Sequence, residues 1–236
     1  MNLILLSEDD FVAGTNRVRL SGRRLQHVLA VHRAQAGARL RVGLLNAQRG
    51  CGLITNLSPQ LLEMEVCLDQ PAPAALPLTL LLALPRPKSL KKVLPAVAAM
   101  GVKRIVLLNT WRVEKSFWDS PQLAPAALEE QVRLGLEQAG DTIAPEIMTR
   151  RRFKPFVEDE VTELIRGSLA LVAHPEAAAV CPRAVPGPVT LAVGPEGGFI
   201  PYEIDLLRAH GFTAVSLGER RLRVEHAVPA LLGRLF

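Results

Sequence analysis

"AVGPEGGFIPYEI" (residues 192–204) ends a strongly apolar run and follows it at once with a glycine-rich turn. Residues 189–193 (VTLAV) are β-prone and apolar throughout, which predicts a strand buried on both faces. Gly194, Pro195, Glu196, Gly197 and Gly198 then break the run. Pro201 and Glu203 read as the opening of a helix, with proline in the first turn and an acid at the positive end of the dipole. A strand-to-helix joint accounts for Pro201 and Glu203. It does not account for three glycines around one glutamate.

The same rhythm extends outward from this stretch. Apolar runs at 78–84, 104–108, 169–173 and 213–217, with a weaker one at 146–149, alternate with helical patterns at 88–101, 122–138, 154–166, 201–210 and 225–235. Strands alternating with helices predict a mostly parallel sheet covered on both faces, an α/β fold. Pro95 inside "KSLKKVLPAVAAMG" (88–101) should kink that helix, and Gly101 should end it. The first seventy residues read differently, as short strands at 3–6, 17–20, 39–45, 51–56 and 61–67, with one helix whose Leu25, Val28, Leu29 and His32 share a face. This predicts a small β-barrel with a helix at its rim. "QPAPAALP" (70–77) has three prolines and marks a linker, dividing the chain into residues 1–70 and 71–236.

The 236 residues are enough to bury a core, and 49% hydrophobic with 22% charged residues is ordinary for a soluble protein. No apolar run reaches membrane-spanning length, and "MNLILLSEDD" has neither a basic leader nor a cleavage signal, so a cytoplasmic protein with no membrane partner is expected. Three scattered cysteines make neither a disulfide framework nor a zinc site, and no metal is expected. The net charge is +5. Between Phe11 and Gly50 there are eight arginines and no acid, and arginine outnumbers lysine 22 to 6 along the chain. Guanidinium forks suit phosphate, so this stretch reads either as a solvated basic face or as a contact for a polyanion. Aromatic residues, at 4%, argue against a platform for stacking many bases.

In an open α/β sheet, ligands bind beyond the carboxyl ends of the strands. Three segments qualify: "LVAHPEA" (171–177), "LAVGPEGGF" (191–199) and "VSLGERRLRVEHA" (215–227). Together they suggest one composite pocket. GPEGGF is neither a phosphate-cradling P-loop nor a dinucleotide fingerprint, and a carboxylate there would repel a pyrophosphate. It suits a cationic or hydroxyl-bearing ligand, and bare glycines let the backbone come close to it.

"GPEGGF" followed by "LGERRLRVEHA" resembles the paired C-terminal motifs of the SPOUT class of methyltransferases. Within that class the chain is similar to the bacterial small-subunit ribosomal RNA (16S) uracil-N3 methyltransferases, the RsmE family. Leu217, Gly218, Arg220, Leu222, Arg223, Glu225 and Ala227 fall on the pattern, and "RLQHVLAVHRAQAG", "KKVLPAVAAMGV", "LEQAGDTIAPEI" and "VAHPEA" resemble further family segments. Ala30, Glu219, Arg221 and His226 depart from it.

The resemblance implies a C-terminal trefoil-knot methyltransferase domain, an N-terminal PUA-like RNA-binding β-barrel, a homodimer, and S-adenosylmethionine as methyl donor. It implies a cofactor site built from Leu171, His174, Gly194, Glu196, Gly197, Gly198, Leu217, Gly218, Arg220 and Leu222. The substrate implied is 16S ribosomal RNA or the small ribosomal subunit, held in part by Arg17, Arg19, Arg23, Arg24 and Arg41. Methylating uracil N3 requires loss of its proton or stabilisation of the anion. Arg223 could stabilise negative charge, and Glu196 or Glu225 could take the proton, although Glu225 also reads as an ordinary acid in the first turn of a helix. Another target base, or a non-catalytic RNA-binding protein of the same fold, are the competing possibilities.

Overall fold

The computed structural model describes residues 2–236, apart from the side chain of His32, which leaves the expectation for that residue outside the described set. The chain divides into two compact units. The first runs up to Ala74 and also takes in Arg133–Ala144; the second comprises Ala75–Val132 and Pro145–Phe236.

The first unit holds strands β1 (Ile4–Leu6), β2 (Arg17–Leu20), β3 (Arg39–Leu44), β4 (Arg49–Leu57) and β5 (Leu62–Gln70). They form one curled sheet in the order β1-β3-β4-β5-β2, with β1 parallel to β3 and the other pairs antiparallel. Alternation decides the faces. Val18 and Leu20 of β2 and Leu62, Met64 and Val66 of β5 point into the core, so Arg17, Arg19, Glu63 and Glu65 point out. Helix α1 (Gly22–His27) continues into a short π-helical turn, and Leu25 and Val28 seal the core. The returning segment 133–144 is tied to this unit by its backbone: the amides of Asn2 and Leu3 both donate to the carbonyl of Glu137, and that of Asn46 donates to Thr142.

The second unit is a six-stranded sheet, entirely parallel, in the order β11-β9-β10-β6-β7-β8. Its strands are β6 (Leu76–Ala83), β7 (Val102–Leu108), β8 (Glu146–Arg150), β9 (Leu169–Ala173), β10 (Val189–Val193) and β11 (Thr213–Val215). The central strand β10 is buried at all five positions, as its unbroken apolar sequence requires when both faces are covered. Helices α2 (Pro87–Ala99) and α7 (Val224–Leu235) pack on each other, and α4 (Phe153–Asp159) packs on α6 (Pro201–Ala209). The four-residue α5 (Val161–Leu164) also belongs here, as does the first half of helix α3 (Pro125–Ala139), whose residues from Arg133 on are counted with the first unit.

Two details differ from the sequence-based expectation. The helix expected over 154–166 is broken at Glu160, whose carboxylate accepts a fork of hydrogen bonds from Arg150. Strand β5 runs through Gln70 and β6 begins at Leu76, so only residues 71–75 of the proline-rich stretch lie between strands. Helix α2 runs through Pro95 and ends at Ala99, just before Gly101.

Candidate active site

Because every strand of the second sheet runs the same way, the carboxyl ends of β9, β10 and β11 open at one edge. The loops that follow them surround a single cavity: Ala173–Pro175 from the first, Val193–Gly198 from the second, and Val215–Leu222 with the start of α7 from the third. Loop-to-loop bonds hold the walls together. The His174 amide donates to Val215, and Arg221 pairs with Glu176 across the rim at 2.9 Å. That rim pair is open to solvent and contributes little energy. Behind it, segment 179–185 is bonded to Ser216 at one end and to Arg234 and Leu235 of α7 at the other.

Each glycine of the central turn has its own physical reason. A Cβ on Gly194 would lie 2.9 Å from the Phe199 nitrogen, so the turn folds back on itself only if position 194 is bare. A Cβ on Gly197 would meet the side chain of Arg112 at 2.9 Å. Gly198 has φ +71, in the left-handed region, and its amide closes the turn on the Pro195 carbonyl at 2.8 Å. Turn geometry therefore explains the three glycines, which the sequence had seemed to reserve for a ligand.

Two carboxylates brace this turn. Glu196, on the cavity wall, accepts from the backbone amide of Arg86 at 3.0 and 3.3 Å, at the N-cap of α2. Glu203, only 3% exposed, accepts from its own N-cap amide at Ile200 (2.9 Å) and from the amide of Trp111 (2.7 Å). Arg112, next to Trp111, donates to the Gly197 carbonyl. The bracing by Trp111 and Arg112 left no sequence signal, because it joins positions some ninety residues apart.

Of the residues expected to hold a cofactor, His174, Gly194, Glu196, Gly197, Gly198, Leu217, Gly218, Arg220 and Leu222 all line the cavity. Leu171 does not, and is corrected to a core residue: it sits in mid-β9, 2% exposed, in register with Leu191 and Thr213. The lining also includes Pro175, Ser216, Val224, Ala227 and Leu231, which the motifs did not single out. Leucine and valine side chains, approachable backbone and one carboxylate together suit a ligand that is partly flat and apolar and partly cationic.

The three candidate catalytic groups part company. Arg223 is the N-cap of α7, exposed, between lining residues Leu222 and Val224, and its guanidinium has no ion pair among the described residues. Glu225 turns away. Its carboxylate faces α2, with Lys92 at 3.6 Å and the Ser89 hydroxyl in hydrogen-bonding contact. Its own backbone amide holds the carboxyl below the usual range against the opposing effect of burial, and Ser89 and Lys92 add to the lowering. A carboxyl held below its usual range and turned towards α2 is a weak proton acceptor. Cys181 is 1% exposed and burial pushes its thiol up, so it is an inert core thiol.

The basic stretch is less free than its sequence suggests. Arg17 pairs with Glu65 and Arg19 with Glu63 across strands β2 and β5. Arg23 grips Glu137, whose side chain is 1% exposed, and Arg24 grips Asp10 with two bonds of 2.6 Å. The acids missing from the stretch itself arrive from its flank and from distant segments, and Arg24 is engaged in a part-buried ion pair that leaves it less free to meet a phosphate. Arg41 remains exposed beside Arg39 and Arg49 in a concavity of the first unit.

Among the described residues no His, Cys, Asp and Glu cluster could hold a metal ion, and no helix is long and apolar enough to cross a membrane.

Comparison with known proteins agrees with this geometry. Residues 72–235 match the family model of the RNA methyltransferase domain. The ribosomal RNA small subunit methyltransferase E of Treponema pallidum is 30% identical over 98% of this chain and 88% of its own length. Its namesake E 1 of Borreliella burgdorferi is 23% identical over 98% and 95%. A Legionella pneumophila structure described as a methyltransferase with bound S-adenosylmethionine superposes with a TM-score of 0.74 at 25% identity, covering 98% of this chain and 95% of that one. The fold is the α/β fold of the SPOUT methyltransferases, and the chain belongs to the RNA methyltransferase family.

Proposed function

We propose that this protein transfers the methyl group of S-adenosylmethionine to N3 of a uridine in the 16S RNA of the small ribosomal subunit. The observation that carries the reading is the single cavity at the carboxyl ends of β9, β10 and β11, with a carboxylate in a glycine turn on one wall and the unpaired Arg223 in the chain between lining residues Leu222 and Val224. The Treponema and Borreliella relatives carry the small-subunit name, and the Legionella structure holds S-adenosylmethionine.

When bound, the donor supplies an electrophilic methyl group on a sulfonium. Glu196 favours that positive charge, and the backbone of 194–198 and 217–222 receives the adenosine and methionine portions. Apolar contacts from Leu217 and Leu222 exclude water around the transfer. Arg223 stabilises the negative charge that spreads onto the uracil oxygens as the N3 proton leaves, so the N3 lone pair is free to attack. Water, or Glu196 at the cavity wall, receives the proton. The arginines of the curled sheet, Arg41 foremost, contact RNA phosphates. The protein works in the cytoplasm as a homodimer.

Calorimetry with S-adenosylmethionine, followed by mass-spectrometric mapping of small-subunit RNA after reaction, tests the whole reading. Saturable donor binding and one new N3-methyluridine are expected. A methyl group on a different base would move the target, and absence of donor binding would remove the enzyme. In Arg223→Ala, single-turnover transfer should fall about a hundredfold with the melting temperature unchanged. A destabilised variant with a normal saturated rate would return Arg223 to a structural role.

A further inference from the structure

The strands β10, β6, β7 and β8 are consecutive neighbours and parallel, so the loops after them line up along one edge of the sheet, leading away from the cavity. The loop after β7 carries Trp111, which is 80% exposed, while the chain's other tryptophan, Trp118, is 9% exposed and donates its indole N–H to Asn109 at 2.8 Å. Exposure of so large an apolar ring is costly and is not a consequence of a loose loop. The Trp111 amide is held at 2.7 Å by the buried Glu203 carboxylate, and its neighbour Arg112 is bonded to Gly197 in the cavity wall. A fixed backbone therefore presents a free ring to solvent.

The loop of the ring carries both signs, Arg112 and Lys115 with Glu114 and Asp119, while the neighbouring strand ends add arginines. The Asn109 amide joins this loop to Arg150 at the end of β8, where Arg151 and Arg152 follow. Arg151 lies over the Trp118 ring, 5.1 Å from its centroid, and neither Arg151 nor Arg152 has an acidic partner among the described residues. Arg86 stands exposed at the end of β6. Tryptophan and arginine serve protein–protein and nucleic-acid contacts alike; the match of this domain to RNA methyltransferases favours a nucleic-acid strand here, base to ring and phosphate to guanidinium. A base must also leave its stack to reach the cavity, and its neighbours then need a surface to lie on.

We propose that Trp111 is a stacking site for an unpaired nucleobase of the RNA strand that enters the cavity, with Arg112, Arg151 and Arg152 along the path of its phosphates. The inference rests on the RNA-methyltransferase reading and adds to it the position of the flanking strand. Low aromatic content excludes a platform for many bases; one ring suffices for one.

The test uses the full chain and a single-stranded oligouridylate as probe, with binding read by Trp111 fluorescence and by anisotropy of a labelled probe. The wild-type indole emission should be quenched on binding. Trp111→Ala should weaken the probe about tenfold or more, and Trp111→Phe should restore most of the affinity. Arg152→Ala should flatten the plot of log affinity against log salt by about 0.7. Donor affinity, measured by calorimetry on Trp111→Ala, should stay within about twofold. Equal probe affinity in Trp111→Ala overturns the proposal. So does sedimentation showing that Trp111→Ala dissociates a self-associated form, which would assign the ring to a second copy of the chain. A wild-type protein that binds the probe through Trp111 but binds no S-adenosylmethionine would support the stacking site while removing the enzymatic reading.

Discussion

The backbone amide of Arg86 donates to both carboxylate oxygens of Glu196, at 3.0 and 3.3 Å, so the acid of the glycine turn also caps helix α2. The two duties can be separated. Glu196→Gln keeps an acceptor for the amide but removes the charge. It should leave thermal stability nearly unchanged and weaken S-adenosylmethionine several-fold more than S-adenosylhomocysteine, which lacks the sulfonium charge. Glu196→Ala should lose the cap as well, costing about 1 kcal/mol. Equal losses for both ligands in Glu196→Gln would leave Glu196 a capping residue only.

Gly194 and Gly198 should fail in different ways. Gly194→Ala drives a methyl group against the Phe199 amide and must open the turn, so donor affinity should fall at least tenfold. At Gly198 a Cβ meets nothing within 4 Å, and only the positive φ is at stake. Gly198→Asn tolerates that region and should cost less than about 1 kcal/mol with donor binding largely kept. Calorimetry and melting curves on the two variants would reveal any inversion of this order.

Arg24 and Arg41 predict opposite phenotypes from one basic stretch. Burial, the largest influence on Asp10, pushes its carboxyl up, but Arg24 and Ser7 together hold it below the usual range. Arg24→Ala strands that acid and should destabilise the protein by about 3 kcal/mol at neutral pH. Asp10 contributes this stability above the ordinary carboxylate pKa, and the contribution disappears as pH falls through its depressed folded value. Arg41→Ala should melt normally but bind RNA less tightly, with a salt slope lower by about one. Loss of RNA affinity in a stably folded Arg24→Ala would reverse the assignment.

Glu225 gives a second pH signature. Its folded pKa is lowered, so the charge stabilises α7 above the ordinary carboxylate range and ceases to do so in acid. Glu225→Gln should lower the melting temperature by about 1–3 °C at pH 7, converge with the wild type near pH 3, and transfer methyl groups at a normal saturated rate. A rate loss of a hundredfold at unchanged stability would make Glu225 the base after all.

What could be read from the sequence was whatever repeats locally. VTLAV became a strand buried at every position, and RVRL alternated as its pattern required. The three cavity loops were legible because each pairs a strand end with residues that cannot extend it. Long-range partners were not legible. Nothing near Arg23 or Arg24 indicates that Glu137 and Asp10 will neutralise them, and nothing in GPEGG indicates that Arg112 will fill the space a Cβ would need. Leu171 was misplaced for a related reason: a motif marks a loop, but the register of β9 decides where the loop begins.

Segment 133–144 gives the curled sheet a delayed birth. During synthesis β1 to β5 emerge first, yet the carbonyl that receives the amides of Asn2 and Leu3, and the carboxylate that receives Arg23, belong to Glu137. Strands β6 and β7 and helix α2 are all made before that partner appears. A protein cut at the proline-rich stretch would leave those donors without acceptors, so the sheet cannot be transplanted as residues 2–74 alone. Any graft of it onto another protein must carry the distant segment as well.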